Sequence, residues 1–164
     1  MIGLVTPLRI VAVSIVLLAG LFAVGWATRI DPSEKPVIAV IGGGFIINYR
    51  IADHFYGFTA VVQKPLESGS IIEASFEDPA GGPPIVVRER VSPATNRYDF
   101  RTPPLSDIEA GKPYKVTVRV LDREERVELY ATEMAYKSDV GTAGLPKVPL
   151  TIGPGYHRNP QAGG

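Results

Sequence analysis

The strongest constraint on this chain is an alternation of period two. In "PYKVTVRVL", residues 113 to 121, Tyr114, Val116, Val118 and Val120 fall on one side and Lys115, Thr117 and Arg119 on the other. Successive side chains of a strand point to opposite faces, so this run describes a half-buried antiparallel strand. "SIIEASFED" opposes Ile72, Ala74 and Phe76 to Glu73, Ser75 and Glu77. "PIVVRERV" opposes Ile85, Val87 and Val91 to Val86, Arg88 and Arg90, with Glu89 out of phase, and "RYDFR" sets Tyr98 and Phe100 among charged neighbours. "RVELYATEMAYK" reads with Val127, Leu129 and Ala131 on its apolar face and loses phase near Glu133, the mark of a bulge or a strand end. Turn residues join these runs, in "KPLESGS", "EDPAGGPP", "VSPATN" and "DIEAGKP", and "DREER" is short enough for a hairpin. Fifteen prolines and seventeen glycines disfavour a helical bundle. The expected fold is all-β: an antiparallel sandwich of about seven strands.

The first thirty residues follow a different rule. Between Arg9 and Arg29 the chain is uncharged over nineteen residues, Ile10 to Thr28. A helix of that length rises about 28 Å, close to the hydrocarbon thickness of a bilayer. Trp26 stands at the far end, where an amphipathic ring favours the interface. The reading is one N-terminal transmembrane helix preceding the sandwich. A cleavable signal peptide is the alternative, with small residues Ala23, Gly25 and Ala27 near a cleavage position. The organisation expected is residues 1–30 as anchor or signal peptide, 31–36 as linker, 37–140 as β-sandwich and 141–164 as a Pro/Gly-rich tail. Both alternatives export the domain. The expected location is a bacterial inner membrane crossed once with the domain in the periplasm, or the periplasm itself after cleavage.

One stretch makes the architecture more specific. "IEAGKPYKVTVRVLD" places Ile108 six residues before Tyr114, with Gly111 between them and Val116 and Val118 after. This resembles the entry to strand F of a fibronectin type III domain. The resemblance implies an immunoglobulin-like sandwich in which a tyrosine corner ties loop to strand through the Tyr114 hydroxyl. It implies no activity.

The stretch "VIAVIGGGFIINYRIADHF" superficially suggests a dinucleotide-binding turn. Gly42 and Gly44 fill two places of G-x-G-x-x-G, but Ile47 occupies the third, and Gln63 or Lys64 stands where a ribose-binding carboxylate belongs. No N-cap residue lies between Gly44 and Ile47. Alternation of Phe45, Ile47, Tyr49 and Ile51 with Ile46, Asn48 and Arg50 favours a strand, with "ADHFYG" as the turn and glycines that let the chain bend or bulge. A nucleotide-binding enzyme is therefore the third reading of function.

Catalytic constellations are scarce. There is no cysteine, no G-x-S-x-G elbow and no EF-hand loop. A copper- or zinc-handling module would have to use His54, His157 and Met134, and is the second reading. Net charge of zero gives no reason to expect nucleic acid. The first reading is a non-enzymatic binding, assembly or accessory module for an envelope protein, with no cofactor. Its expected contact residues are His54, Phe55 and Tyr56 in the aromatic turn and Leu150, Ile152 and Tyr156 in the tail. The tail itself has two readings. "LPKVPLTI" either packs as a final edge segment with the rest disordered, or serves as an extended peptide that docks on a neighbour.

Overall fold

A computed structural model describes residues 7–29 and 35–162. The chain divides into two compact units, Met1–Lys35 and Pro36–Gly164. The first holds helix α1, Pro7–Ala27, with no buried residue. Proline suits the first helical position because its missing N–H would have no partner there. The mean hydropathy of the helix reaches 2.5, and it is long and apolar enough to cross a membrane. At its end the Thr28 hydroxyl donates to the Val24 carbonyl, and the Arg29 guanidinium lies 5.7 Å from the Trp26 ring centre.

The second unit is mostly strand. Its elements are β1 Ile38–Asn48, β2 Asp53–Val62, β3 Ile71–Phe76, β4 Ile85–Arg90, β5 Arg97–Arg101, β6 Pro113–Leu121 and β7 Glu128–Lys137. They form one antiparallel sheet of order β1-β2-β5 and another of order β4-β3-β6-β7. The inner faces close on one core. Ile72, Ala74 and Phe76 of β3, and Tyr114, Val116, Val118 and Val120 of β6, are fully buried, as the alternation required. From the facing sheet come Tyr56, Phe58 and Ala60 of β2 with Tyr98 and Phe100 of β5. Aromatic rings bridge the layers: Tyr56 meets Phe76 edge-on at 5.1 Å, and Phe58 stacks on Phe100 at 5.0 Å. Such pairs add about 0.5–1.5 kcal/mol beyond the area they bury.

Three tyrosine hydroxyls enter this apolar layer, and each is satisfied by backbone. Tyr114 accepts the Glu109 N–H at 2.9 Å, Tyr98 accepts the Ser92 N–H at 2.8 Å, and Tyr56 donates to the Glu77 carbonyl at 2.6 Å. The Tyr114 bond fastens the loop before β6 to the strand.

Several local expectations need correction. "ADHFYG" is not the turn. The chain reverses over Tyr49–Ala52, where Ala52 takes φ 57° and Asn48 Oδ1 accepts the Arg50 N–H, so Asp53 already pairs with Asn48. In β7 the buried face carries Tyr130, Met134 and Tyr136, whereas Leu129 and Ala131, and Val127 just before the strand, are exposed. The partner strand decides this phase: Val116, Val118 and Val120 stand opposite Met134, Thr132 and Tyr130. The irregularity lies at Val120/Leu121, not near Glu133, and it shifts the register before Leu129 can turn inward.

The tail is also structured as far as Ala162. A 3₁₀ turn at Thr142–Gly144 leads to a small hairpin of β8 Thr151–Ile152 and β9 His157–Arg158, then a 3₁₀ turn at Pro160–Ala162. Asn159 locks the base of the hairpin, donating from its side chain to the Pro149 carbonyl and from its N–H to the Leu150 carbonyl. The expectation of disorder after "LPKVPLTI" fails because this buried asparagine supplies what proline-broken backbone lacks.

Candidate functional site

The two main sheets present four edge strands, and three of them carry charge. β4 has Arg88, Glu89 and Arg90, β5 has Arg97, Asp99 and Arg101, and β7 has Glu128, Glu133 and Lys137. Charged side chains are the usual protection of an exposed strand edge against pairing with another chain. β1, "IAVIGGGFIIN", has none over eleven residues. Its one protective device is the bulge between Val40 and Gly42, after which Gly42 to Asn48 run in regular register with β2.

The exposed outer face of β1 bears Ile41 and Ile46, which are 57% and 52% accessible. Beside them lies a shallow groove of about 390 Å³ over Gly42, Gly44 and Gly57. Gly44 and Gly57 stand directly opposite in the ladder, so the sheet has bare backbone at this point. Thr59 donates to Asp99 at 2.5 Å on one rim, and Arg101 covers the ring of Phe55 at 4.2 Å on the other. Beneath it, Gly43 faces inward, where a β-carbon would overlap the Tyr136 hydroxyl of β7. Glycine thus serves both faces: it admits Tyr136 inside and leaves the backbone open outside. The strand runs unbroken through Gly42–Gly44 and no helix follows, so the strand-to-helix junction of a dinucleotide site is not formed here.

The aromatic residues expected in a turn belong to β2 and are buried. Tyr56 is inaccessible, His54 is 1% exposed and Phe55 lies under Arg101. They are therefore core residues with little surface to offer a partner. His54 Nε2 lies 3.2 Å from Ser138 Oγ, whose hydroxyl donates to the Val140 carbonyl, while His54 Nδ1 has no partner. The serine proton is thereby committed, which makes Nε2 the protonated nitrogen of a neutral imidazole. Burial pushes the His54 pKa down.

His157 is exposed in β9, and Met134 Sδ accepts the Tyr136 hydroxyl at 3.2 Å. Among the described residues there is no group of three His, Cys, Asp or Glu side chains placed to hold a metal ion. The tail residues Leu150, Ile152 and Tyr156 are exposed, as a contact surface requires. They stand at the β1–β2 turn, where the Thr151 N–H donates to the Arg50 carbonyl and the Arg50 guanidinium lies 4.9 Å from the Tyr156 ring centre.

One polar cluster escaped sequence reasoning. Glu73 sits on the outer face of the four-stranded sheet, directly opposite Arg88 on β4 and Arg119 on β6. Arg88 reaches Glu73 Oε2 at 2.5 Å and Arg119 Nε reaches Oε1 at 3.1 Å, leaving the carboxylate 3% exposed. Burial alone pushes its pKa up, but the hydrogen bonds and charges of Arg119 and Arg88 outweigh burial and hold it below the usual value. The arrangement is a cross-strand brace rather than a pocket.

No protein-family model matches the chain, and no curated protein matches it. Two solved structures overlap it in part. One is a family 76 glycoside hydrolase from a bovine Bacteroides thetaiotaomicron strain, at 10% identity and TM-score 0.38, over 60% of this chain and 20% of that one. The other is a Parabacteroides merdae β-glucuronidase, at 8% identity and TM-score 0.43, over 63% of this chain and 14% of that one. The chain thus spans a small part of either enzyme, and overlap at this level assigns it no activity.

Proposed function

We propose that this protein is a membrane-anchored, non-enzymatic recognition module of the bacterial envelope, whose β1 edge receives an extended, uncharged segment of an envelope protein. The observation that supports it is the contrast among edges: β1 alone of the four is free of charge, and its exposed isoleucines flank bare backbone. Strand addition draws affinity from main-chain hydrogen bonds and specificity from the pockets beside them, and the groove over Gly42, Gly44 and Gly57 is such a pocket. The sandwich is of the fibronectin type III kind with seven strands; the three-plus-four sheet orders and the Tyr114 corner favour this reading. α1 holds the module in the inner membrane, with the domain on the periplasmic side.

The test is a pull-down of full-length protein from membranes in mild detergent, comparing wild type with the double variant Ile41→Lys/Ile46→Lys. Both side chains are largely exposed, so the variant keeps its fold. A stoichiometric partner recovered with wild type and lost with the variant supports the reading. Equal recovery with both, or no partner with either, sinks it.

A further inference from the structure

The regular part of the β1 edge, residues 42 to 48, divides into two unlike halves. Gly42, Gly43 and Gly44 carry no side chain, whereas Ile46, Ile47 and Asn48 are large, and Phe45 stands between the two sets. The bulge at Val40/Gly42 bounds this run on one side and the β1–β2 turn bounds it on the other. Among the described residues no strand pairs with β1 on the side away from β2.

A run of this kind is its own complement. Residues opposite each other in a ladder share a face, so a two-fold antiparallel pair must have a residue on its axis. With Phe45 there, the whole run stays in register. Ile46 of one copy then stands opposite Gly44 of the other, Ile47 opposite Gly43 and Asn48 opposite Gly42, and the same pairs recur in reverse. A large residue opposite a strand glycine covers its bare backbone. Gly44 already faces Gly57 on β2, so the second copy's Ile46 comes to lie beside the open groove. In-register parallel pairing would set glycine beside glycine instead. No charge opposes the approach, whereas on β5 the same operation about Asp99 would set Arg97 against Arg101 and Asp99 against itself. We infer that a second copy of this chain occupies the β1 edge when no client segment is bound, as a two-fold antiparallel pair. The inference rests on the reading of β1 as an edge open to strand addition and adds its regulation. Self-pairing and client addition use the same backbone groups, so a client must displace the copy.

The test uses purified full-length protein in mild detergent, with no other protein present. The chain has no cysteine, so introduced thiols are the only ones. The pairing sets the two Ile46 positions diagonally across the ladder, about 7–8 Å apart. Ile41 lies four residues from the axis, which places it about 27 Å from its counterpart. Both side chains are largely exposed, so a cysteine at either position leaves the fold intact. A short bismaleimide should link Ile46→Cys into covalent dimers and leave Ile41→Cys monomeric. Oxidation of Gly42→Cys/Asn48→Cys should also give disulfide dimers, because these positions face each other across the pair and are too far apart within one chain to bridge. A β-carbon at Gly42 meets open space. Should Asn48→Cys disturb the turn that its Oδ1 supports, the comparison of positions 46 and 41 decides alone. No dimer from Ile46→Cys, or equal yields from 46 and 41, overturns self-pairing. The open-edge reading has a separate readout, the partner recovered from membranes, so the two can fail independently.

Discussion

The Glu73 brace offers the sharpest test of the fold. Glu73→Gln preserves the shape of the side chain and removes its charge, so Arg88 and Arg119 lose their common anion. Taking one partner from a buried ion pair costs about 3–5 kcal/mol when the remaining charge stays dry. Here the arginine side chains are 50% and 44% exposed and rehydrate, and glutamine still offers one acceptor. The expected loss therefore falls to about 2 kcal/mol, the scale of a hydrogen bond to a charged group. For a domain of this size that is about 6–10 °C in Tm. The pH dependence has a definite sign. The Glu73 pKa lies lower in the folded chain than its ordinary 4.5, so its contribution is fully present above pH 4.5 and disappears as pH falls through the folded value. Urea unfolding of segment 36–164 at neutral and acidic pH should show wild type and variant converging in acid. A gap below about 0.5 kcal/mol at neutral pH, or one that persists unchanged in acid, would refute the reasoning.

Other consequences follow from buried polar atoms and the core. Tyr114→Phe removes the acceptor of the Glu109 N–H, and because Glu109 is itself exposed, water recovers part of the loss; about 1 kcal/mol is expected by urea unfolding. His54 has a depressed pKa in the folded chain, so the unfolded chain binds the proton more readily and stability should fall as pH drops below the ordinary 6.5. His54→Leu should flatten that limb of the stability curve. Phe76→Ala, at an inaccessible position between the layers, should cost about 3–5 kcal/mol by the same measurement.

The strands whose neighbours are apolar on one side only were readable directly. β3, β5 and β6 bury the residues their alternation named, and the Tyr114 corner lies where the spacing from Ile108 placed it. β7 was misread because Val127 and Leu129 look more apolar than Thr132, and only its pairing with β6 fixes which face turns inward. "ADHFYG" failed for a related reason. Histidine and aspartate mimic a turn, whereas the facing Phe45 ring, 5.5 Å from His54, and Ser138, 84 positions away, make that stretch an interior strand. Glu73 could be placed on the polar face but not between two arginines, since register across strands is a property of the folded sheet. The tail is organised by Asn159, whose two bonds close the hairpin and which its sequence setting, among other polar residues, did not single out. The bare β1 edge became visible only when its neighbours were known.

The most direct test of strand addition attaches a photoactivatable group to Ile41→Cys, the sole thiol in the chain, and irradiates the protein in its own membranes. The account predicts a cross-link to an uncharged, extended segment of another envelope protein, lost when Ile46→Lys is added and absent from Leu129→Cys on β7. A cross-link that survives Ile46→Lys, or equal capture from β7, would contradict it.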